Sequence, residues 1–218
     1  MRSLFLTGTD TAVGKTVAAV ALIEAIAASG VRVVGMKPVS AGVDAASGVN
    51  ADVLALDAAS NVRAPLEDRN PFAFDAPAAP HLLAARRGVA IDLSAIRAAY
   101  DRLRERADVV VAEGAGGALV PIDDRHDMLD VARTLALPVI LVVGVRLGCL
   151  NHARLTALAI RARGLRLGGW IACRIDPAMP HADENVRWIG RELRAPMVAD
   201  LATPTPEPLP ASALATIA

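Results

Sequence analysis

Short apolar runs rich in β-branched residues alternate along the chain with longer stretches whose apolar residues recur every three or four positions. Buried parallel strands produce the first pattern, and helices packed on a sheet produce the second. Six runs are predicted to be strands: Leu4–Thr7, Val31–Lys37, Asp108–Glu113, Val139–Val143, Gly169–Cys173 and Met197–Leu201. The alternation predicts an α/β fold with a mostly parallel central sheet and helices on both faces.

Between these runs, the spacing of apolar residues predicts helices. The most regular stripe is Leu93, Ile96, Tyr100 and Leu103, and Asp92 before it is a typical N-terminal cap. The other predicted helices are Lys15–Ala28, Asn151–Arg163 with Asn151 as its cap, and His181–Arg194.

Two segments lack a regular pattern. Gly42–Pro80 is rich in Ala, Asp, Asn and Pro and is predicted to be an irregular loop. Long loops at the carboxyl edge of a parallel sheet often carry the binding site. Leu201–Ala218 contains four prolines and is predicted to be an extended surface tail.

Size and charge narrow the class of protein. The 218 residues are predicted to form a single domain, residues 1–218. Lys plus Arg and Asp plus Glu number 23 each, so we expect neither nucleic acid nor a membrane as partner. The apolar stretch Leu135–Val145 contains Pro138 and falls short of the roughly 20 residues that cross a bilayer, so it is predicted to be a buried strand. Two cysteines and no recognisable leader favour a reducing, cytoplasmic setting.

The segment Gly8–Thr16, with the sequence GTDTAVGKT, joins the first predicted strand to the first predicted helix. A triphosphate needs converging backbone N–H groups, a helix N-terminus and a lysine, and this segment offers all three. It is predicted to be a phosphate-binding loop for a nucleoside triphosphate, in which Thr16 binds Mg²⁺, although Thr9 stands where such loops usually have their first glycine. An ordinary strand-to-helix turn is the alternative. The predicted nucleotide contacts are Ala12, Val13, Gly14, Lys15, Thr16 and Val17.

Lys37 ends the second predicted strand and precedes the turn PVSAG. The carboxyl end of that strand faces the same crevice as the phosphate-binding loop. An ammonium about 4 Å from a phosphate oxygen gains about 4 kcal/mol at an effective dielectric of 20. Lys37 is therefore predicted to stabilise a transition state that spreads charge over oxygens, and a solvated lysine beside a turn is the alternative.

Glu113 ends the third predicted strand and is followed by the small-residue loop GAGG. A carboxylate there is predicted to hold Mg²⁺, and the glycines would let backbone N–H groups approach a ligand. A tight turn without a ligand is the alternative. Asp52 begins a helical pattern and is a second candidate for the metal, or equally an N-terminal cap.

The turn Val145–His152 leads from a strand into a helix and forms a second anion-binding helix start. Cys149 within it is predicted to be structural rather than a nucleophile, because no pattern around it supports one. His152 is predicted to make a first-turn polar contact. The other three histidines have no metal-ligand spacing.

Four of these blocks together resemble the dethiobiotin synthetase family: Gly8–Thr16, Lys37–Val39, Glu113–Gly117 and Leu147–His152. They occur in the family's order and spacing, and the resemblance covers about residues 1 to 175. It implies a homodimeric, ATP- and Mg²⁺-dependent cyclo-ligase of biotin synthesis with a P-loop nucleotide-binding fold. Such an enzyme uses CO₂ to close a urea ring on 7,8-diaminononanoate.

The resemblance also implies roles for individual residues. Lys15 and Lys37 would be catalytic, stabilising charge on the phosphates and on a carbamate. The magnesium ligands would be Thr16, Asp52 and Glu113. Further nucleotide contacts would come from Asp52, Glu113, Gly114, Ala115, Gly116 and Cys173. The diamine would meet Thr11, Lys37, Ser40, Gly116 and Gly117. From the partner subunit, the substrate carboxylate would meet Gly148, Cys149, Leu150 and Asn151, so each active site would span the dimer interface.

Two positions depart from the family pattern. The order Ser40-Ala41 reverses the usual small residue followed by Ser or Thr, so a hydroxyl contact to the substrate is expected to shift or disappear. Cys173 stands where the family often has an asparagine that contacts adenine. A thiol lacks the paired donor and acceptor of an amide, so selectivity for adenine is expected to rest on backbone groups or to be relaxed.

Two other functions fit parts of the sequence. A cobyrinate-type amidating synthase shares this fold but usually appends a glutamine amidotransferase domain, for which this chain has no room. A partition-type switch ATPase typically has a lysine early in the loop, where this chain has Asp10.

Overall fold

A computed structural model describes residues 3–44, 46–202, 208–209 and 211–215 of the chain. The strands are β1 Leu4–Gly8, β2 Val33–Met36, β3 Val39–Ala41, β4 Phe72–Phe74, β5 Val109–Gly117, β6 Val139–Gly144, β7 Leu167–Arg174 and β8 Met197–Ala202. The helices are α1 Lys15–Ala28, α2 Ala51–Ala59, α3 Leu66–Arg69, α4 Pro80–Arg87, α5 Leu93–Arg106, α6 Met128–Leu135, α7 Cys149–Ala162, α8 Ala182–Leu193 and α9 Ala211–Ala215.

The central sheet has six strands in the order β2-β5-β1-β6-β7-β8, and every neighbouring pair is parallel. The predicted fold class is therefore confirmed. β1 lies in the interior of the sheet, between β5 and β6, so the loop that follows it emerges at the middle of the carboxyl edge. The six predicted strands all exist, with ends that differ by a few residues.

Alternating side chains cover the two faces of the sheet. In β6, Val139, Leu141 and Val143 join the core under α5, α6, α7 and α8, whereas Ile140 and Val142 join the core under α1 and α2. This two-residue period explains why the strands read as continuous apolar runs: both faces are buried, so neither set of positions can be polar.

The helix boundaries follow local capping chemistry. Asp92 caps α5 as predicted, since its carboxylate accepts a hydrogen bond from the Ser94 N–H at 2.7 Å. The prediction for α7 is wrong at its start, because Gly148 is the N-cap and Asn151 lies in the first turn. Gly148 has a φ of 96°, a left-handed conformation that glycine adopts without strain.

The prediction of an irregular loop over 42–80 is also wrong in part. This segment folds into α2, α3 and β4, and β4 pairs with β3 in a second, two-stranded parallel sheet. The helical pattern that begins at Asp52 corresponds to α2, whereas α3 and β4 are too short for an apolar period to stand out from the sequence.

The tail contains a short helix, contrary to the prediction of an extended chain. Ala213 and Leu214 in α9 are buried, and α9 contacts α1 and β8. The predicted tail residues 203–207, 210 and 216–218 lie outside the described residues. Within the described part of the chain, no helix combines the length and the apolar character that a membrane span requires.

Candidate active site

A cavity of about 840 Å³ opens at the carboxyl edge of the sheet, where β1, β2 and β5 end. It brings together residues that are far apart in the sequence. The predicted site residues that line it are Thr11, Ala12, Gly14, Lys15, Thr16, Val17, Lys37, Asp52, Glu113, Ala115 and Gly116.

The loop between β1 and α1 has the tight geometry of an anion-binding turn. Gly14 caps α1 with a φ of 88°, and Ala12 also has a positive φ, 56°. A Cβ on Gly8 would approach the Val13 side chain to 2.7 Å, so the loop needs a glycine there, one residue earlier than in the commonest spacing. The Lys15 ammonium donates a hydrogen bond to the carbonyl of Asp10 at 2.8 Å and so folds back over the loop.

Lys37 makes the closest ionic contacts of the cavity. Its Nζ lies 2.6 Å from Oε1 of Glu113 and 2.7 Å from Oδ2 of Asp52. Lys37 is 4% exposed and Glu113 is fully buried, whereas the Asp52 side chain is 40% exposed. The pair with Glu113 is thus shielded from water and the pair with Asp52 is not.

Thr16 joins the same two carboxylates from the first turn of α1. Its Oγ1 lies 2.9 Å from Oδ1 of Asp52 and 2.9 Å from Oε1 of Glu113. The other oxygen of Glu113, Oε2, is buried and has no hydrogen-bond partner in the described part of the chain. A hydroxyl and two carboxylates with an unsatisfied oxygen match the oxygen ligands that Mg²⁺ prefers, so the donor set fits that ion.

The two lysines of the cavity are held in different electrostatic environments. Burial, followed by the positive charge of Lys37, lowers the pKa of Lys15 from 10.5 to about 8. Burial also acts to lower the pKa of Lys37, but the charges and hydrogen bonds of Glu113 and Asp52 outweigh it, so that pKa is raised. Lys37 therefore stays an ammonium at neutral pH, while Lys15 is closer to losing its proton.

Asp52 is not the cap of α2; Asn50 is. Oδ1 of Asn50 accepts a hydrogen bond from the Asp52 N–H at 3.0 Å, and its Nδ2 donates to the carbonyls of Ala41 and Gly42. Asn50 thus ties the start of α2 to the end of β3 and turns Asp52 toward the cavity. Sequence reasoning missed this role, although an asparagine two residues before Asp52 is a common capping signal.

A second asparagine, also missed, holds the backbone of Lys37. Nδ2 of Asn70 donates to the Lys37 carbonyl at 2.7 Å, and the Lys37 N–H donates to the Arg69 carbonyl at 2.7 Å. The Ser40 hydroxyl donates to Oδ1 of Asn70 at 2.9 Å. Ser40 is buried and does not line the cavity, so its position does not support the expected contact between its hydroxyl and a substrate, and Ala41 lines the cavity instead.

Cys173 lies beneath the loop rather than in the cavity. Its thiol is fully buried 3.6 Å from the Gly14 carbonyl, and burial, with the nearby Asp200, raises its pKa to about 12. This position does not support direct contact between Cys173 and a base. Ile175, two residues further on, lines the cavity and was not predicted.

Several other predicted residues do not line the cavity of this chain: Val13, Gly114, Gly117, Gly148, Cys149, Leu150 and Asn151. Val13 packs under the loop, where it would meet a Cβ on Gly8 or Gly144. The turn at Gly148 lies beyond Arg146, whose guanidinium pairs with the carboxylate of Asp10 at 2.6 Å. Arg146 is a further link between this turn and the phosphate-binding loop that the sequence did not indicate.

An apolar wall also lines the cavity. It is formed by the segment Pro77–Pro80 with Ala41 and Val120. None of these residues was singled out individually from the sequence, because prolines and alanines carry no chemical signal of their own, although Pro77–Pro80 belongs to the segment Gly42–Pro80 that was expected to carry the binding site. The cavity therefore offers both charged and apolar lining.

The chain is similar to a known protein family and to several solved structures. The model of one family, described as an AAA domain, matches residues 2–205, and that family includes dethiobiotin synthetase. Among solved structures, the chain is similar to the MinC:MinD cell division complex of Aquifex aeolicus, with a TM-score of 0.58, 15% identity, and coverage of 95% of this chain and 83% of that one.

Two further structures show the same likeness. MinD of Pyrococcus horikoshii, complexed with Mg-ADP, gives a TM-score of 0.57 at 16% identity and covers 100% of this chain and 93% of its own. The cell division protein FtsY of Thermotoga maritima gives 0.53 at 17%, with coverage of 99% and 68%. At these identities the likeness shows the fold, in agreement with the parallel sheet and the phosphate-binding loop.

Proposed function

The chain belongs to the AAA domain family, and from that premise we propose that it is a dethiobiotin synthetase, which closes a urea ring on 7,8-diaminononanoate with CO₂ and Mg-ATP. The observation that carries the proposal is the meeting of Lys15, Lys37, Thr16, Asp52 and Glu113 at one cavity. Within the AAA domain family, the four blocks of the resemblance favour this member.

The nucleotide would bind with its phosphates over the start of α1. Backbone N–H groups of the loop and the helix N-terminus attract the anion, and Lys15 lies at the same point. Thr16, Asp52 and Glu113 would hold Mg²⁺, which would supply neutralising charge beside the phosphates.

The reaction needs no protein nucleophile. One substrate amine and CO₂ form a carbamate with loss of a proton; the carbamate oxygen takes the γ-phosphoryl group and ADP leaves. The neighbouring amine then attacks the carbamoyl carbon and loses a proton to solvent, and phosphate departs as the ring closes. Positioning and charge stabilisation suffice for these steps, and Lys37 is placed to stabilise the oxygens of the carbamate and the phosphoryl group.

The apolar side of the cavity supports a substrate with a hydrocarbon chain. The segment Pro77–Pro80, with Ala41 and Val120, would cover that chain, while Lys15, Lys37 and Glu113 supply charged groups to the same cavity. Thr11 and Gly116 line the cavity close to Val120, where the resemblance expects the diamine. A substrate with amines at one end and a long methylene chain matches this division.

The proposal includes a homodimer with a shared active site. α7 and the turn before it expose Leu147, Leu155 and Leu158, at 90%, 57% and 58%, on the face that also carries Asn151. An exposed leucine stripe is typical of an interaction surface. Covering it with a second copy would bring the Gly148–Asn151 turn into an interface, as the resemblance implies.

A partition-type switch ATPase is the alternative that the fold likeness to MinD keeps open. The sequence argues against it, because Lys15 and Lys37 are the only lysines in the chain and Asp10 occupies the early loop position. Asp10 is also engaged by Arg146 at 2.6 Å.

One assay separates these functions. Purified protein is incubated with 7,8-diaminononanoate, bicarbonate, Mg²⁺ and ATP, and the expected result is dethiobiotin by mass with ADP release that depends on the diamine. ATP hydrolysis at a rate that does not depend on the diamine, together with nucleotide-dependent DNA binding, would favour the partition-type switch ATPase. If the protein shows neither of these activities, both functions are contradicted.

The lysine variant ties the activity to the cavity. Lys37→Ala is expected to retain ATP binding and to lose turnover by about two orders of magnitude or more, because the charge that stabilises the transition state is gone. Arg32→Ala is the matched control: it removes one positive charge next to the other end of the same strand, where Arg32 forms an exposed pair with Asp108. Equal turnover of the two variants would remove Lys37 from the mechanism.

A further inference from the structure

Lys37 holds the same two carboxylates that the proposed function assigns to magnesium. We propose that the Lys37 ammonium is the resident cation of this site in the nucleotide-free protein, and that Mg²⁺ binds Asp52 and Glu113 only as this ammonium moves away. The proposal rests on the proposed use of Mg-ATP, but not on the identity of the second substrate.

The distances carry the first step. The Lys37 Nζ lies 2.6 Å from Oε1 of Glu113, and Thr16 Oγ1 lies 2.9 Å from that same oxygen. Asp52 is shared in the same way, with Oδ2 at 2.7 Å from the ammonium and Oδ1 at 2.9 Å from Thr16. The three oxygen-bearing side chains that suit Mg²⁺ are thus already gathered, with an ammonium bonded to two of them.

Electrostatic repulsion would keep the Lys37 ammonium and a divalent ion from sharing the two carboxylates. The two carboxylates supply two negative charges, which Lys37 and a divalent ion together would exceed by one. Lys37 is 4% exposed, so water screens little of the repulsion between the ammonium and a metal ion bound to the same oxygens. Only one of the two cations can therefore bind the pair of carboxylates without a large electrostatic free-energy penalty.

The backbone of Lys37 is held in place, so only its side chain is free to move when a metal ion binds. Its backbone is fixed on both sides, by the Asn70 amide at its carbonyl and by the Arg69 carbonyl at its N–H. The side chain is a four-carbon stem that ends in the cavity, beside the start of α1. A metal ion that displaces the ammonium would therefore swing it within the cavity toward the proposed phosphate position, so that loading the metal also delivers the catalytic lysine.

Metal binding without nucleotide tests the exchange. Free Mn²⁺, a stand-in for Mg²⁺, is counted by electron paramagnetic resonance in titrations of the nucleotide-free protein. Lys37→Met is expected to bind Mn²⁺ about tenfold or more tightly than the unmodified chain, because the competing ammonium is gone. The matched control is Lys15→Met, which removes the same charge from the same cavity but touches neither carboxylate. An affinity gain for Lys37→Met no larger than for Lys15→Met would overturn the proposal.

A second measurement compares states of the unmodified chain, and a variant serves only to assign its signals. Because Lys15 and Lys37 are the only lysines, ¹³C-labelled lysine gives two ε-carbon signals, assigned with Lys15→Met. Mg-ADP is expected to shift the Lys37 signal, and ADP with a chelator is expected to leave it near its nucleotide-free position. An identical Lys37 signal under both conditions would overturn the proposal. Neither experiment contains the diamine, so a chain that fails to make dethiobiotin can still pass both.

Discussion

Removing Lys37 should destabilise the protein mainly through Glu113, and the structure gives the size of the effect. Lys37→Met keeps most of the apolar stem but leaves the carboxylate of Glu113 fully buried without its ammonium. Breaking a buried pair from one side costs about 3 to 5 kcal/mol, because an uncompensated charge remains. With an m value of about 2 kcal/mol/M, that loss lowers the urea midpoint by about 2 M.

Two double variants locate the source of the loss. Lys37→Met with Glu113→Gln removes both charges of the buried pair, so it should recover about 2 kcal/mol or more of the stability that the single variant loses. Lys37→Met with Asp52→Asn should recover less than about 1 kcal/mol, because the Asp52 side chain is 40% exposed and water already solvates it.

The assay is urea unfolding followed by circular dichroism in nucleotide-free buffer with a chelator. The assigned role of the buried pair is refuted if the free energy of unfolding of Lys37→Met lies within about 1 kcal/mol of that of the unmodified chain. It is also refuted if the coupling of Lys37 to Asp52 equals or exceeds its coupling to Glu113, since burial would then not set the energy of the pair.

Three further predictions follow from the cavity and its supports. In the nucleotide-free protein, the ε-carbon signal of Lys15 should titrate with a midpoint near pH 8, because burial lowers its pKa to about 8. Lys37 should keep its charge beyond the ordinary lysine pKa of 10.5, because its pKa is raised. A Lys15 midpoint above 10 would contradict the effect of burial on the pKa of Lys15. Asn70→Ala should lower turnover about ten- to a hundredfold with little change in the KM for ATP, because it frees the Lys37 carbonyl. The control is Asn61→Ala, which loses comparable hydrogen bonds next to the other end of β2. An equal loss of turnover in Asn61→Ala would assign the effect to the strand as a whole. Both cysteines should resist iodoacetamide in the folded protein and react in urea, since both are buried and the pKa of Cys173 is raised to about 12; a fast-reacting thiol at neutral pH would show that the loop above Cys173 opens.

The chain by itself determined the features that depend on neighbours in sequence. Apolar runs with both faces buried gave the parallel strands, the turn from β1 into α1 gave the phosphate-binding loop, and Asp92 gave a helix start. Lys37 and Glu113 could be singled out because each polar residue ends an apolar strand, and parallel strands end at one edge.

Tertiary structure decided the features that depend on distant contacts. Thr16 and Glu113 are 97 residues apart, and their meeting requires β1 and β5 to be adjacent, which no local pattern specifies. The sequence indicated a helical pattern beginning at Asp52, but the meeting of Asp52 with Lys37 required α2 to pack beside β2, which no local pattern specifies.

The outcomes at Ser40 and Cys173 have the same origin. Their chemistry suggested contact with ligands, but Ser40 turns to Asn70 and Cys173 turns under Gly14, so neither side chain reaches the cavity. Residue type states what a side chain can do, whereas its direction is set by the packing of strands and loops around it. Sequence therefore determined the sheet and the chemistry available at its edge, and only the packed structure determined which side chains meet there.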